Sequence, residues 1–344
     1  MQRLQDSKAL RRDDAKAMLF DPYKRKINYL RISVTDRCNL RCRYCMPEEG
    51  IPLIPHDEIL RYEEILRIVR AFSEEGISKV RLTGGEPLIR KGLVDFVAKL
   101  SQIEGIEDLS LTTNGILLKD FAEDLKKAGL KRINISLDSL KRERFCQITR
   151  RDDFDRVWAG IEESMRVGLD PIKINMVAIR GVNDDEIEAF ARLTLRFPLT
   201  IRYIEYMPSG NGEEWKENDI LTIPQIKNRL ERMGQVVSIP SDKWDGPAKR
   251  FRIEGAIGEI GLIGPVSSHF CEDCNRLRLT ADGKIRTCLF SDKEIDVKEL
   301  IRKGGSDRDL KDRLLLALRT KPERHHISTH LFRKCQRNMS AIGG

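Results

Sequence analysis

At 344 residues the chain exceeds an average domain, and 40% hydrophobic against 34% charged residues is the balance of a packed core, which excludes a disordered chain. The net charge of +8 points to an anionic partner, and the absence of any run of roughly 18 apolar residues excludes a membrane helix. The opening "MQRLQDSKALRRDD" lacks the apolar core of a signal peptide and carries acids foreign to a transit peptide; a cytoplasmic protein is expected, whose eight cysteines are ligands or catalysts rather than disulfides.

In chain order, β-rich runs recur at 29 to 35, 79 to 84, 108 to 115, 132 to 138, 172 to 178 and 200 to 207, with helical stretches between them, several of which open near Asp or Asn and close on Gly. Six strands alternating with helices read as a parallel βα array. Parallel strands covered on both faces are continuous apolar runs, but these alternate: Leu30, Ile32 and Val34 with Arg31, Ser33 and Thr35, and Ile133, Ile135 and Leu137 with Asn134, Ser136 and Asp138. The expected fold is α/β, a partial, open (βα)6 TIM-like barrel with helices outside and a polar ligand inside; a sheet with one solvated face is the alternative. After residue 208, "KRFRIE", "EIGLIGP" and "RLRLTADGKIRTCL" predict antiparallel strands, the last folded at "ADG". A helical tail over "DVKELIRKGGSDRDLKDRLLLALRTK" follows, the whole closing the barrel mouth.

"CNLRCRYC" sets Cys38, Cys42 and Cys45 in CxxxCxxC directly after the first strand, where βα barrels place chemistry. A disulfide leaves one thiol over. Zinc needs a distant fourth ligand. An iron–sulfur cluster held by three thiolates keeps one iron open. The pattern, with Tyr44 before the last cysteine and "GGEP" (Gly84, Gly85) ending the second strand, resembles the radical S-adenosylmethionine (SAM) superfamily. That resemblance implies a 4Fe-4S cluster whose open iron binds SAM, cleaved by one electron to methionine and a 5′-deoxyadenosyl radical.

"FCEDCNRLRLTADGKIRTCL" adds Cys271, Cys274 and Cys288. Alone, such spacing reads as zinc, with His269 the nearby candidate for a fourth ligand. In this chain it repeats the first incomplete triplet and reads as a second cluster. Cys146 and Cys335 are left as ordinary thiols.

Together, "LRISVTDRCNLRCRYCMP", "LTGGEPLIRK", "LTTNG", "SLDSL", "IKINMV", "RYIEYMP", the second cysteine segment and the terminal Gly-Gly resemble the molybdenum cofactor biosynthesis protein A family, the GTP 3′,8-cyclases, over about residues 22 to 344. The resemblance implies two 4Fe-4S clusters and GTP between them, with hydrogen abstraction at the ribose 3′ position and bonding of C3′ to C8. SAM contacts carry over to Tyr44, Gly84, Gly85, Asn114, Ser136 and Met207, and GTP contacts to Arg31, Arg81, Thr112, Lys173, Arg276, Leu277 and Arg278. Catalytic roles carry over to Arg276, Arg278, Gly343 and Gly344, the tail threading into the cavity. Arg31, Arg81 and Lys173 are also positions that strand alternation turns inward, where a triphosphate supplies the partner a buried cation needs.

The domains expected are an N-terminal extension (1–21), a barrel (22–208) and a C-terminal region (209–344) carrying the second cluster and the tail. An electron donor of reductase or flavodoxin type, a downstream cyclic pyranopterin monophosphate synthase and a possible homodimer are the implied partners. A peptide-modifying radical SAM enzyme explains both cysteine sets but not the inward cations or the Gly-Gly end. A basic zinc-binding nucleic-acid module is disfavoured because Lys and Arg are mixed with acids throughout and aromatics are only 6%, so no nucleic acid is expected.

Overall fold

The computed structural model describes residues 18–207, 217–240, 246–327 and 337–343. The alternating runs form parallel strands β1 (Tyr29–Ser33), β2 (Lys79–Thr83), β3 (Asp108–Thr113), β4 (Arg132–Ser136), β5 (Ile172–Ala178) and β6 (Leu199–Glu205), each paired with the next. Helices α1 (Tyr62–Glu74), α2 (Leu93–Ser101), α3 (Leu118–Lys127), α4 (Arg142–Thr149), α5 (Phe154–Arg166) and α6 (Ile187–Arg196) lie along the connections. In α1, Ile65, Ile68, Val69 and Phe72 recur at helical spacing and bury one face against the apolar side of the sheet, where Leu30, Ile32, Val80 and Leu82 are fully enclosed.

After α7 (Ile223–Glu231) come β7 (Val236–Ile239), β8 (Lys249–Ile253), β9 (Glu259–Ile263), β10 (Arg276–Leu279), β11 (Lys284–Arg286) and β12 (Glu294–Asp296). Their pairing is only partly the antiparallel arrangement predicted. It is antiparallel within β7–β8–β9 and within β10–β11–β12, but β9 lies parallel on β6 and β10 parallel on β1. Eight parallel strands therefore form the centre of one 12-stranded sheet of order β12-β11-β10-β1-β2-β3-β4-β5-β6-β9-β8-β7. A hydrophobic pattern specifies which face a strand buries, not the direction of its neighbour. The sheet does not close: among the described residues its two ends, β12 and β7, do not pair. It does curve, since Arg202 of β6 donates to Asn134 of β4 at 3.1 Å across its concave face.

The predicted helical tail divides into α8 (Lys298–Arg302) and α9 (Asp307–Arg319). At the break, a Cβ on Gly305 would stand 2.5 Å from Leu300, and the Ser306 backbone N–H and hydroxyl meet the Asp309 carboxylate at 2.7 and 2.6 Å, restarting the helix. The last element is the short α10 (Met339–Ile342). Residues 1–17 of the N-terminal extension, Cys335 and Gly344 lie outside the described residues. Among the described residues no helix is long and apolar enough to cross a membrane.

Candidate active site

The chain leaves β1 through Val34 and Thr35 and enters the first cysteine loop. "GGEP" fixes that loop by backbone pairing: Gly85 N–H donates to Thr35 O and Glu86 N–H to Arg37 O, both at 2.8 Å. A Cβ on Gly84 would lie 2.4 Å from Thr35 O, and one on Gly85 2.1 Å from Arg37 O. Both glycines line the cavity, but the space they keep clear is occupied by the cysteine loop's own backbone. On the other side, Arg41 and Arg43 N–H donate to Thr149 and Ile148 O, and the Arg150 guanidinium holds Arg41 O at 2.8 Å and Met46 O at 3.1 Å.

Glu86, fully buried, accepts from Asn114 N–H (2.6 Å), Thr113 Oγ1 (2.8 Å) and Leu88 N–H (2.9 Å), tying β2 to β3 beneath the loop. Burial pushes its carboxyl up to about 7 against those three hydrogen bonds. The folded value stands above that of the unfolded chain, so its contribution is full below about pH 4 and is lost as pH rises through the folded value. Glu86→Gln is therefore expected to destabilise by about 1–3 kcal/mol in acid. The gap to the wild-type denaturation midpoint should narrow between about pH 5 and pH 7.5; a constant gap rejects the assignment.

Cys38, Cys42 and Cys45 open on a cavity of about 310 Å³ on the concave face, and so do Cys271, Cys274 and Cys288. Burial pushes the Cys38 thiol up to about 11 and also raises Cys42 and Cys45; proximity of the first-triad thiols adds to the rise at Cys42 and Cys45. Three half-buried, cavity-facing thiols of this kind suit a metal centre that takes them as thiolates. In the second triad, burial raises Cys274 but Arg276 and Lys321 outweigh it, holding the thiol at about 6. His269, Cys271 and His325 bring ligand atoms within 4.8 Å of one another, the set that a single ion would use. His325 Nδ1, however, already accepts the Ile327 N–H at 3.3 Å, and the three cysteines share the cavity wall as the first triad does. The donor set fits an open-site cluster at each triad.

Tyr44, Asn114, Ser136 and Met207 line the same cavity. The Tyr44 hydroxyl donates to Asp138 at 2.6 Å, and burial lifts the Asp138 carboxyl to about 6 despite that bond and one from Val177 N–H. Asn114 is committed to the loop: its Nδ2 donates to Asn39 at 2.7 Å and reaches Cys38 Sγ at 3.9 Å.

Among the described residues five arginines line the cavity, namely Arg31, Arg81, Arg202, Arg276 and Arg278, against two carboxylates, Asp138 and Glu205. Glu205 is spent on Ile223, Val266 and Ser267 N–H, at 2.8, 2.8 and 2.9 Å. Arg31 stands in register between Arg278 and Arg81, with its Nε buried and unpartnered. Burial, then Arg278, lowers its pKa well below the usual guanidinium value. Thr112 Oγ1 is a second unpartnered buried atom at this wall. The arrangement calls for an anion with many acceptors.

Two sequence-derived positions fall elsewhere. The Leu277 side chain does not reach the cavity: strand alternation between Arg276 and Arg278 turns it fully into the core, leaving only its backbone for the substrate contact expected there. Lys173 lines a second cavity of about 330 Å³ at the N-terminal ends of β4, β5, β6 and β9, which shares Arg81 and Arg202 with the first. Asp138, Arg150 and Arg202 were missed as individual site residues. "SLDSL" contained the first, and Arg202 sits at an inward-alternating position of β6.

The tail reaches the barrel. Arg278 donates to Gly343 O, Ser33 Oγ to Ser340 O at 3.0 Å, and a Cβ on Gly343 (φ +73°) would lie 2.2 Å from Thr83 Oγ1. Its anchor is Arg337, bidentate on Asp282 at 2.8 Å and in contact with Glu294. Arg337→Ala removes charge-assisted bonds of about 1.5–3 kcal/mol and is expected to cut turnover roughly tenfold or more with iron content unchanged. Wild-type turnover in that variant would show that the docked tail is dispensable.

An open parallel barrel with a CxxxCxxC loop at the end of its first strand defines a radical SAM enzyme. The Radical SAM superfamily profile matches residues 32–194, and a second profile, Molybdenum Cofactor Synthesis C, matches residues 199–327. The chain is 51% identical over 326 residues to a GTP 3′,8-cyclase of Thermodesulfovibrio yellowstonii, covering 94% of this chain and 99% of the relative. It is 50% identical over 324 residues to that of Moorella thermoacetica, with the same coverage. Among solved structures, Streptococcus suis SuiB bound to S-adenosylmethionine aligns with a TM-score of 0.59 over 87% of this chain and 66% of that one; at 14% identity it speaks to the fold alone. This chain belongs to the GTP 3′,8-cyclase family.

Proposed function

We propose that this protein converts GTP to (8S)-3′,8-cyclo-7,8-dihydroguanosine 5′-triphosphate, the first step of molybdenum cofactor biosynthesis. The observation that carries the reading is the cavity onto which both cysteine triads open, with five arginines among the described residues of its wall. Cys38, Cys42 and Cys45 hold one 4Fe-4S cluster and Cys271, Cys274 and Cys288 the other. Loaded with its cluster and SAM, the site at the first triad would supply the reductive SAM cleavage needed for removal of the ribose 3′ hydrogen.

The chain's own residues orient the reactants. Tyr44, Gly84, Gly85, Asn114, Ser136 and Met207 surround SAM. Arg31, Arg81, Arg276 and Arg278 face the GTP anion, joined by Thr112 and, from the second cavity, by Lys173, with Arg202 between. Gly343 places the tail beside Arg278, where its small backbone fills space without crowding the substrate, and the catalytic role proposed for Gly344 falls on a residue outside the described ones. A cytoplasmic location, a flavodoxin-type or reductase electron donor, hand-over to a cyclic pyranopterin monophosphate synthase and a possible homodimer complete the proposal, along with the division at residues 21 and 208.

Anaerobic incubation with GTP, SAM and dithionite is expected to give 5′-deoxyadenosine and a cyclised GTP product. SAM cleavage with no change in GTP would leave the radical chemistry standing and overturn the substrate.

A further inference from the structure

We propose that the segment from Lys321 to His325 backs the second cysteine triad and raises the reduction potential of the cluster held there, a reading that rests on Cys271, Cys274 and Cys288 being its ligands. Lys321 is buried, with 3% of its surface exposed. Its Nζ donates to Thr287 O (2.8 Å), Arg276 O (2.9 Å) and Cys274 Sγ (3.5 Å), which uses all three ammonium protons. Among the described residues no carboxylate pairs with it. Carbonyl oxygens solvate a cation without cancelling its charge, so the anionic partner left to this ammonium is the sulfur ligand set.

Two residues on, Arg25 staples the segment in place. Its guanidinium donates to Cys271 O (2.8 Å), Glu323 O (2.6 Å) and Pro322 O (2.7 Å), while its Nε pairs with Asp21 at 2.6 Å. The segment then sets the His325 ring beside the second triad, where it, His269 and Cys271 bring ligand atoms within 4.8 Å of one another. Because His325 Nδ1 accepts from Ile327 N–H, the ring proton sits on Nε2, which is buried, lines the cavity and has no protein partner. The ring is fixed between His269 (4.4 Å) and Phe290 (4.9 Å). The Lys321 ammonium and the Arg276 guanidinium, whose Nη2 reaches Cys274 Sγ at 3.9 Å, thus border the sulfurs of the second triad, and the His325 Nε2–H stays open to the cavity beside them.

A thiolate-ligated cluster becomes more negative by one electron on reduction. A fixed positive charge and N–H donors at its sulfurs favour the reduced form more than the oxidised one, and so raise the potential. The first triad lacks an equivalent ammonium among the described residues: its Cys38 sulfur is met by the Leu40 N–H and the Asn114 amide. The two clusters are accordingly set to different potentials, the second the easier to reduce.

The test uses the full chain carrying Cys38→Ala, Cys42→Ala and Cys45→Ala, reconstituted anaerobically and titrated with dithionite under electron paramagnetic resonance. Lys321→Met is expected to disfavour one-electron reduction about tenfold, a shift of about 59 mV to lower potential. Lys321→Arg should restore most of it, and His325→Phe should give a smaller shift in the same direction. Loss of the cluster in Lys321→Met but not in Lys321→Arg supports the charge; loss in both assigns Lys321 to packing and overturns the proposal. A loaded cluster whose potential ignores both Lys321→Met and His325→Phe overturns it too. If the background chain holds no iron and sulfide, the ligand assignment itself has failed.

Discussion

Cys38→Ala is expected to abolish SAM cleavage, lowering 5′-deoxyadenosine formation at least about 10³-fold, which corresponds to a barrier about 4 kcal/mol higher. The loop geometry explains the size of the effect. Cys38 sits where Asn114 ties the loop to β3, and the first-triad thiols are buried enough to be raised as free acids, Cys38 to about 11. They become ligands only as a set, because each needs the metal centre to remain a thiolate. Removing one leaves two buried thiols that return to their protonated state. Iron should fall by about half, since Cys271, Cys274 and Cys288 form a separate triad. Retention of wild-type iron and of SAM cleavage within tenfold would place the first cluster on other ligands.

Arg31→Met separates substrate binding from folding. The unpartnered Nε of Arg31 and its place between Arg278 and Arg81 mean that the folded protein gains nothing from this guanidinium and bears its repulsion. The variant should therefore keep its denaturation midpoint or rise slightly. A charge-assisted hydrogen bond to a phosphate contributes about 1.5–3 kcal/mol, so kcat/KM for GTP should drop about 10- to 150-fold while SAM binding is preserved. Unchanged GTP kinetics would remove Arg31 from the substrate site, and a large loss of stability would show that it is held by a contact within the protein.

The sequence announced the inward face of the barrel through its period of two: Arg31, Arg81 and Thr112 lie where alternation puts them, and the two cysteine triads meet in one cavity although more than 200 positions separate them. Leu277 alternates with Arg276 and Arg278 and turns its side chain into the core, so a contact carried over from the motif rests on its backbone. Glycine in "GGEP" was legible as a close approach, but not what it approaches, because that is fixed by the Thr35–Arg37 backbone on a different element. Lys321 and His325 gave no signal at all. "KPERHH" reads as a solvated polar stretch, and only the Arg25 staple, reaching back nearly the whole chain, turns it toward the sulfurs. The parallel docking of β9 and β10 was hidden for the same reason: strand direction is a property of the partner, and these partners are distant in sequence.

That docking also bears on how the chain has to be made. β10 covers the outer edge of β1 and β9 the outer edge of β6, so neither edge of the six-stranded unit is finished until the last third of the chain has been synthesised. A chain cut near residue 208 would expose two long rows of unpaired backbone groups, the template for edge-to-edge aggregation. During synthesis the same rows stand open for as long as the ribosome takes to deliver both strands, so this fold relies on late, long-range closure that is intrinsically slow.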